Sequence, residues 1–189
     1  MDTNSQNRAA AAMCLSTASP RVRVTDDTVW RRITEAANAA YTGGDLLHAI
    51  GLYRDALDEA EQLFARASSS SVSVPVPVIY NISCHNLAEI VERSGDEIAA
   101  EDFLVRAYDK LLASAASPET PLPLRLDCVR HLKHALALLV QHLHRRAAPD
   151  ATIADYVDDA KATAFAVLLA AKHAEIAGLN WDHYTVRPS

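Results

Sequence analysis

An all-α fold, a right-handed α-solenoid of about three antiparallel helix hairpins, is what this sequence predicts, and three observations carry the prediction. Apolar residues recur at three- and four-residue steps over six long segments. A turn pattern occurs twice: Gly44-Asp45 followed by Ala49-Ile50, Tyr53 and Ala56-Leu57, then Gly95-Asp96 followed by Ala100, Leu104 and Ala107-Tyr108. Proline-bearing breaks separate the segments into pairs. Small residues let two helix axes approach, the aromatic or Leu fills the space between them, and Gly supplies the left-handed backbone that ends the first helix of each pair.

The first helix is expected after Thr25, Asp26 and Asp27, which offer N-cap oxygens, with Trp30, Ile33, Ala37, Ala40 and Tyr41 on one face and Gly43-Gly44 as its stop. From Asp45, Leu46, Ala49, Ile50, Tyr53, Ala56, Leu57, Ala60 and Phe64 keep one apolar face over a long second helix. Arg54, Asp55, Asp58, Glu59 and Glu61 lie opposite. Ser68 to Ser71 and Val72-Ser73-Val74-Pro75-Val76-Pro77 interrupt the period and read as a linker, with an edge strand or a polyproline ligand as the alternatives. A third helix is expected from about Pro77 to Ser94, carrying Ile79, Ile82, Leu87, Ile90 and Val91, and a fourth after Gly95-Asp96.

Ser117-Pro118-Glu119-Thr120-Pro121-Leu122-Pro123 is the second break. Leu124 to Arg146 then reads as helix five and roughly Thr152 to Ala177 as helix six, with Pro149-Asp150 between them and Gly178 as the final stop. The expected organisation is a mobile N-terminal tail over residues 1–24, one helical repeat domain over 25–178 and a C-terminal tail over 179–189. Trp181 and Tyr184 in that tail need an apolar surface, either helix six or another subunit or partner.

Composition narrows the function classes. A chain of 189 residues can bury roughly 70% of its extended surface as one unit. Its net charge of -6 leaves no basic stripe for a phosphate backbone, so nucleic acid is not an expected partner. Three cysteines, Cys14, Cys84 and Cys128, are too few and too far apart for a disulfide framework and fit a reducing cytoplasm. The run from Ala9 to Leu15 is too short and too weakly hydrophobic for an export signal, and no segment approaches the roughly 18 apolar residues of a membrane span. Abundant Ala and an excess of Arg over Lys suggest a GC-rich, bacterial source.

The stretches from Trp30 to Leu57 and from Asn81 to Tyr108 resemble tetratricopeptide (TPR) repeats, which place small residues in helix A, Gly-Asp in the turn, and Ala, an aromatic and Ala in helix B. Ala37, Gly44, Asp45, Ala49, Tyr53 and Ala56 carry the likeness in the first stretch; Asn86-Leu87-Ala88, Gly95-Asp96, Ala100 and Ala107 carry it in the second, with Leu104 at the aromatic's place. Gly44 and Gly95 are 51 positions apart, against about 34 in the family repeat. The third hairpin shows no Gly-Asp turn and joins the series by helix count alone.

That resemblance implies a non-enzymatic interaction module, an adaptor or a chaperone, that holds a peptide or protein segment in a concave groove lined by the first helix of each hairpin. Arg31, Thr34, Asn38 and Tyr41 of helix one and His85, Asn86 and Glu89 of helix three would line it. Asn38 and Asn86 form the expected pair, since a side-chain amide donates to a peptide carbonyl and accepts from its N–H. Arg130 and Lys133, with His134, would add a basic edge from helix five.

Two other readings stand beside this one. The Ala-rich sixth helix, with Ala160, Ala164, Ala170 and Ala171, lacks a polar cap and would let the chain associate with itself as a homo-oligomer. A metal or thiol site would draw on Cys84, His85, Asp127, Cys128, His131 and His134, though neither a paired CxxC nor an HExxH is present; no cofactor is expected.

Overall fold

The computed structural model describes residues 26–69 and 74–185, and six helices follow one another among these residues. The expected tail over residues 1–24 and the Ser70–Ser73 part of the linker lie outside the described residues, as do the side chains of Trp181 and Tyr184. The helices are α1 (Thr28–Thr42), α2 (Leu46–Ser69), α3 (Val76–Arg93), α4 (Glu97–Ala116), α5 (Leu122–Arg145) and α6 (Asp150–Thr185). Each packs against its neighbours in sequence, and α3 also meets α5 while α4 meets α6. The helices thus form antiparallel pairs, with first helices touching across one side and second helices across the other.

The turns explain the pairing. After α1, Gly44 takes φ +84°, its N–H donates to the Tyr41 carbonyl at 3.1 Å, and the Asp45 N–H donates to the Ala40 carbonyl at 3.0 Å. The same two bonds follow α3, where Gly95 takes φ +87°, its N–H reaches the Glu92 carbonyl at 2.9 Å, and the Asp96 N–H reaches the Val91 carbonyl at 3.0 Å. Asp45 and Asp96 then turn round and cap the next helix, accepting from the backbone N–H of His48 at 3.2 Å and of Ala99 at 2.9 Å.

The third turn differs in sequence but not in shape. Ala147 takes φ +52°, its N–H donates to the His144 carbonyl at 3.1 Å, and the Ala148 N–H donates to the Leu143 carbonyl at 3.0 Å. The left-handed residues Gly44, Gly95 and Ala147 therefore recur at intervals of 51 and 52 residues. The third hairpin has the turn that its sequence hides.

Equivalent positions in α2 and α4 fill the core in a compensating way. Ala49 and Ala100 are buried, as are Ala56 and Ala107; Tyr53 answers Leu104, Leu57 answers Tyr108, and Phe64 answers Ala115. The Tyr53/Leu104 and Leu57/Tyr108 exchanges offset each other in volume, whereas Phe64 against Ala115 leaves the α2 side larger at that position. α6 closes the series through Ile153, Ala160 and Val167, and through Tyr156, whose carbonyl accepts the Tyr108 hydroxyl at 2.6 Å. It continues past Gly178 to Thr185, so that glycine does not end the helix. A lone Gly costs a helix only about 1 kcal/mol.

Candidate binding face of α1, α3 and α5

The face shared by the first helices is built from one row of α3, Val78, Ile82, His85, Glu89 and Glu92, whose steps of three and four keep it on one side. Trp30 ties α1 to this row: its indole N–H donates to the Ser83 hydroxyl at 2.8 Å, and that hydroxyl donates to the Ile79 carbonyl at 3.0 Å. At the other end the Tyr41 hydroxyl donates to Glu89 at 3.1 Å, with the Arg93 guanidinium 5.1 Å from the Tyr41 ring centre.

Two cavities open on this face. The first, about 330 Å³, lies between α1 and the start of α3. Trp30, Ile79 and Ile82 form its apolar floor, and Arg31, paired with Asp27 at 2.8 Å, stands at its rim. Thr34 lines it as well. The residue is 8% exposed, and among the described residues its hydroxyl has no hydrogen-bond partner. An unpaired buried hydroxyl costs about 1–3 kcal/mol, which a polar group placed in the cavity would offset.

The second cavity, about 130 Å³, lies between α3, α4 and α5 and is lined by His85, Glu89, Glu92, Leu138, His142 and Arg145. The His85 Nδ1 is buried without a partner among the described residues. Glu92 accepts from Arg145 at 2.6 Å and lies 3.3 Å from the Nδ1 of His142, whose side chain is 1% exposed. On its other side His142 has the Glu101 carboxylate of α4 at 3.6 Å. Burial pushes the Glu92 carboxyl up, but Arg145 and His142 more than offset this and hold it below the ordinary carboxylate value.

The predicted site residues divide among several places. Arg31 and Thr34 line the first cavity, and His85 and Glu89 the second. Tyr41 joins Glu89 across the helices, while the exposed Asn38 accepts from the Tyr53 hydroxyl at 2.7 Å within its own hairpin. Asn86 is half-buried on α3, but it stands nine residues before Gly95 whereas Asn38 stands six before Gly44, so the two amides are not at equivalent positions. Glu89 is the counterpart of Asn38. Arg130 is exposed and pairs with Asp127 of its own helix at 2.6 Å. Lys133 lines the crevice between α5 and α6, because it lies five positions from Leu138 and so roughly 140° round the helix.

The residues of the thiol or metal reading are dispersed. Cys84 and Cys128 are free and wholly buried, and burial pushes both thiols up to about 12, which leaves almost no thiolate at neutral pH. The ring centres of His131 and His134 lie 6.1 Å apart on one helix, and burial, with His134 beside it, lowers the His131 pKa. Among the described residues no three of His, Cys, Asp or Glu converge as a metal-binding group. No helix among them is long and apolar enough to cross a membrane.

Fold and face together describe an all-helical protein of sequence-adjacent helix pairs with two cavities along its α1, α3 and α5 side. The chain belongs to a protein family described as "Protein of unknown function (DUF2753)", whose model matches residues 28–170, from the first residue of α1 into α6. No curated protein and no solved structure matches the chain.

Proposed function

We propose that this protein is a non-enzymatic, TPR-like right-handed helical stack that holds a segment of another protein against the α1, α3 and α5 face, as an adaptor or chaperone. The cavity between α1 and α3 carries the reading. An apolar floor of Trp30, Ile79 and Ile82 suits a large apolar side chain, and the unpaired Thr34 hydroxyl suits a peptide N–H or carbonyl beside it. Further along α3, the unpaired His85 nitrogen supports a second polar contact with the same extended segment. The buried, high-pKa cysteines support a binding role over thiol catalysis, and their free state supports the cytoplasm, in keeping with a bacterial composition.

A random peptide library displayed against the full chain tests this. Recovered peptides should share an apolar anchor, and Ile82→Arg should weaken their binding at least roughly tenfold in fluorescence anisotropy. Thr34→Val should weaken it less, by a few-fold. Failure to recover any peptide, or peptides indifferent to Ile82→Arg in a folded variant, overturns the reading.

A further inference from the structure

Among the described residues α6 is the last helix, and its described side chains pack against the body on one side only. Ile153, Ala160 and Val167 face the body, while Phe165, Leu168, Leu169 and Ile176 remain 71%, 56%, 41% and 46% exposed. These four share one stripe of the helix, on a side that a terminal helix facing water fills with polar residues. The stripe borders a crevice of about 250 Å³ between α5 and α6, lined by Leu132, Leu136, Val157 and Ala164 among others, which extends the apolar surface.

Charge at the margins of the stripe indicates what covers it. Lys161 stands seven residues before Leu168 and Glu175 seven after, so all three occupy the same position of a seven-residue repeat. We propose that α6 pairs antiparallel with α6 of a second copy of this chain about a two-fold axis at Leu168. The axis sets Leu168 against its own counterpart and places Lys161 of each copy opposite Glu175 of the other. It also lays each Phe165 ring across the turn of Ala171 and Lys172 of the other copy, where a small side chain makes room and the ammonium meets the ring face.

Opposite charges at equal distances from an apolar centre make a surface complementary to itself, which is the requirement of a closed two-fold interface. A foreign helix imposes no such symmetry on this one. Lys161 at present holds Asp158 at 3.0 Å in an exposed pair, with both side chains more than 70% exposed, and such pairs exchange partners at little cost. The inference is independent of the peptide-binding reading, because the stripe and the α1–α3 cavity share no residue.

Sedimentation equilibrium on the full chain, from low to high micromolar concentration, tests it. A dimer is expected. Lys161→Glu and Glu175→Lys should each raise its dissociation constant roughly tenfold, since each turns two attractions into two repulsions, and the double reversal should restore it. Leu168→Glu should leave a monomer with unchanged helical circular dichroism. A wild-type monomer at every concentration, a dimer indifferent to Leu168→Glu, or a double reversal that fails to restore affinity overturns the proposal.

Discussion

Ala147 holds a backbone conformation for which the two earlier turns use glycine, at φ +52° against +84° at Gly44 and +87° at Gly95. A β-carbon in the left-handed region costs roughly 1–2 kcal/mol. Ala147→Gly should therefore raise stability by about 1 kcal/mol despite the extra freedom it gives the unfolded chain, a shift of a few degrees in a thermal scan. Gly95→Ala should do the reverse. A β-carbon there meets no atom within 4 Å, so the loss would measure backbone strain alone. Of the three cysteines, Cys84 and Cys128 are buried with thiols near pKa 12, and a thiol reagent at neutral pH should label at most one site in the native chain. It should label all three once urea unfolds the chain; rapid native labelling of more than one would contradict the burial described.

Among the elements, α1 is held to the rest of the stack by two cross-helix ties. Beyond its own hairpin it reaches α3 through Trp30 and Ser83 at one end and Tyr41 and Glu89 at the other. Trp30→Phe keeps an aromatic floor but loses the indole donor, and should cost about 1–2 kcal/mol, with faster amide hydrogen exchange confined largely to α1. The helices themselves were readable from the sequence because their apolar steps are regular, and two turns were readable because Gly-Asp does two jobs in adjacent residues. The third turn carries no such signature: Ala147 takes the left-handed conformation without being glycine, its turn closed by bonds to the His144 and Leu143 carbonyls, and local propensity does not report that. Gly178 misled in the opposite direction, since glycine permits a stop without enforcing one. Of the face, the residues Thr34, Tyr41, His85 and Glu89 were legible only through the likeness to repeat positions. The role of Trp30 and Ile82 as a cavity floor was not, because each reads equally well as ordinary core. The cluster of Glu92, Glu101, His142 and Arg145 was invisible for a different reason: it draws on three helices, and only tertiary contact brings those residues together.

At the scale of the molecule, carboxylates act as rivets between hairpins. Glu61 of α2 accepts from the Tyr80 hydroxyl of α3 and from Arg106 of α4, both at 2.9 Å, much as Glu92 joins α3 to α5. Burial raises the Glu61 pKa, but Arg106, Tyr80 and Lys110 outweigh it and leave the group below its ordinary 4.5. A carboxyl depressed by folding stabilises the native state above that ordinary value and loses its contribution as pH falls through the folded one. Urea midpoints should accordingly hold near neutrality and drop below about pH 4.5, and Glu61→Gln or Glu92→Gln should make the drop shallower. An acid limb of unchanged steepness in both variants would show that other groups control it. The recurring turn has a consequence for how such a chain grows. Excising residues 45–95 would join Gly44 directly to Asp96, restoring a Gly-Asp junction and bringing Ala100 and Ala107 to the places that Ala49 and Ala56 hold against α1. The interval from Asp45 to Gly95 is a self-terminating word whose removal leaves its junction intact, whereas the next ends on Ala147-Ala148 and carries no such Asp.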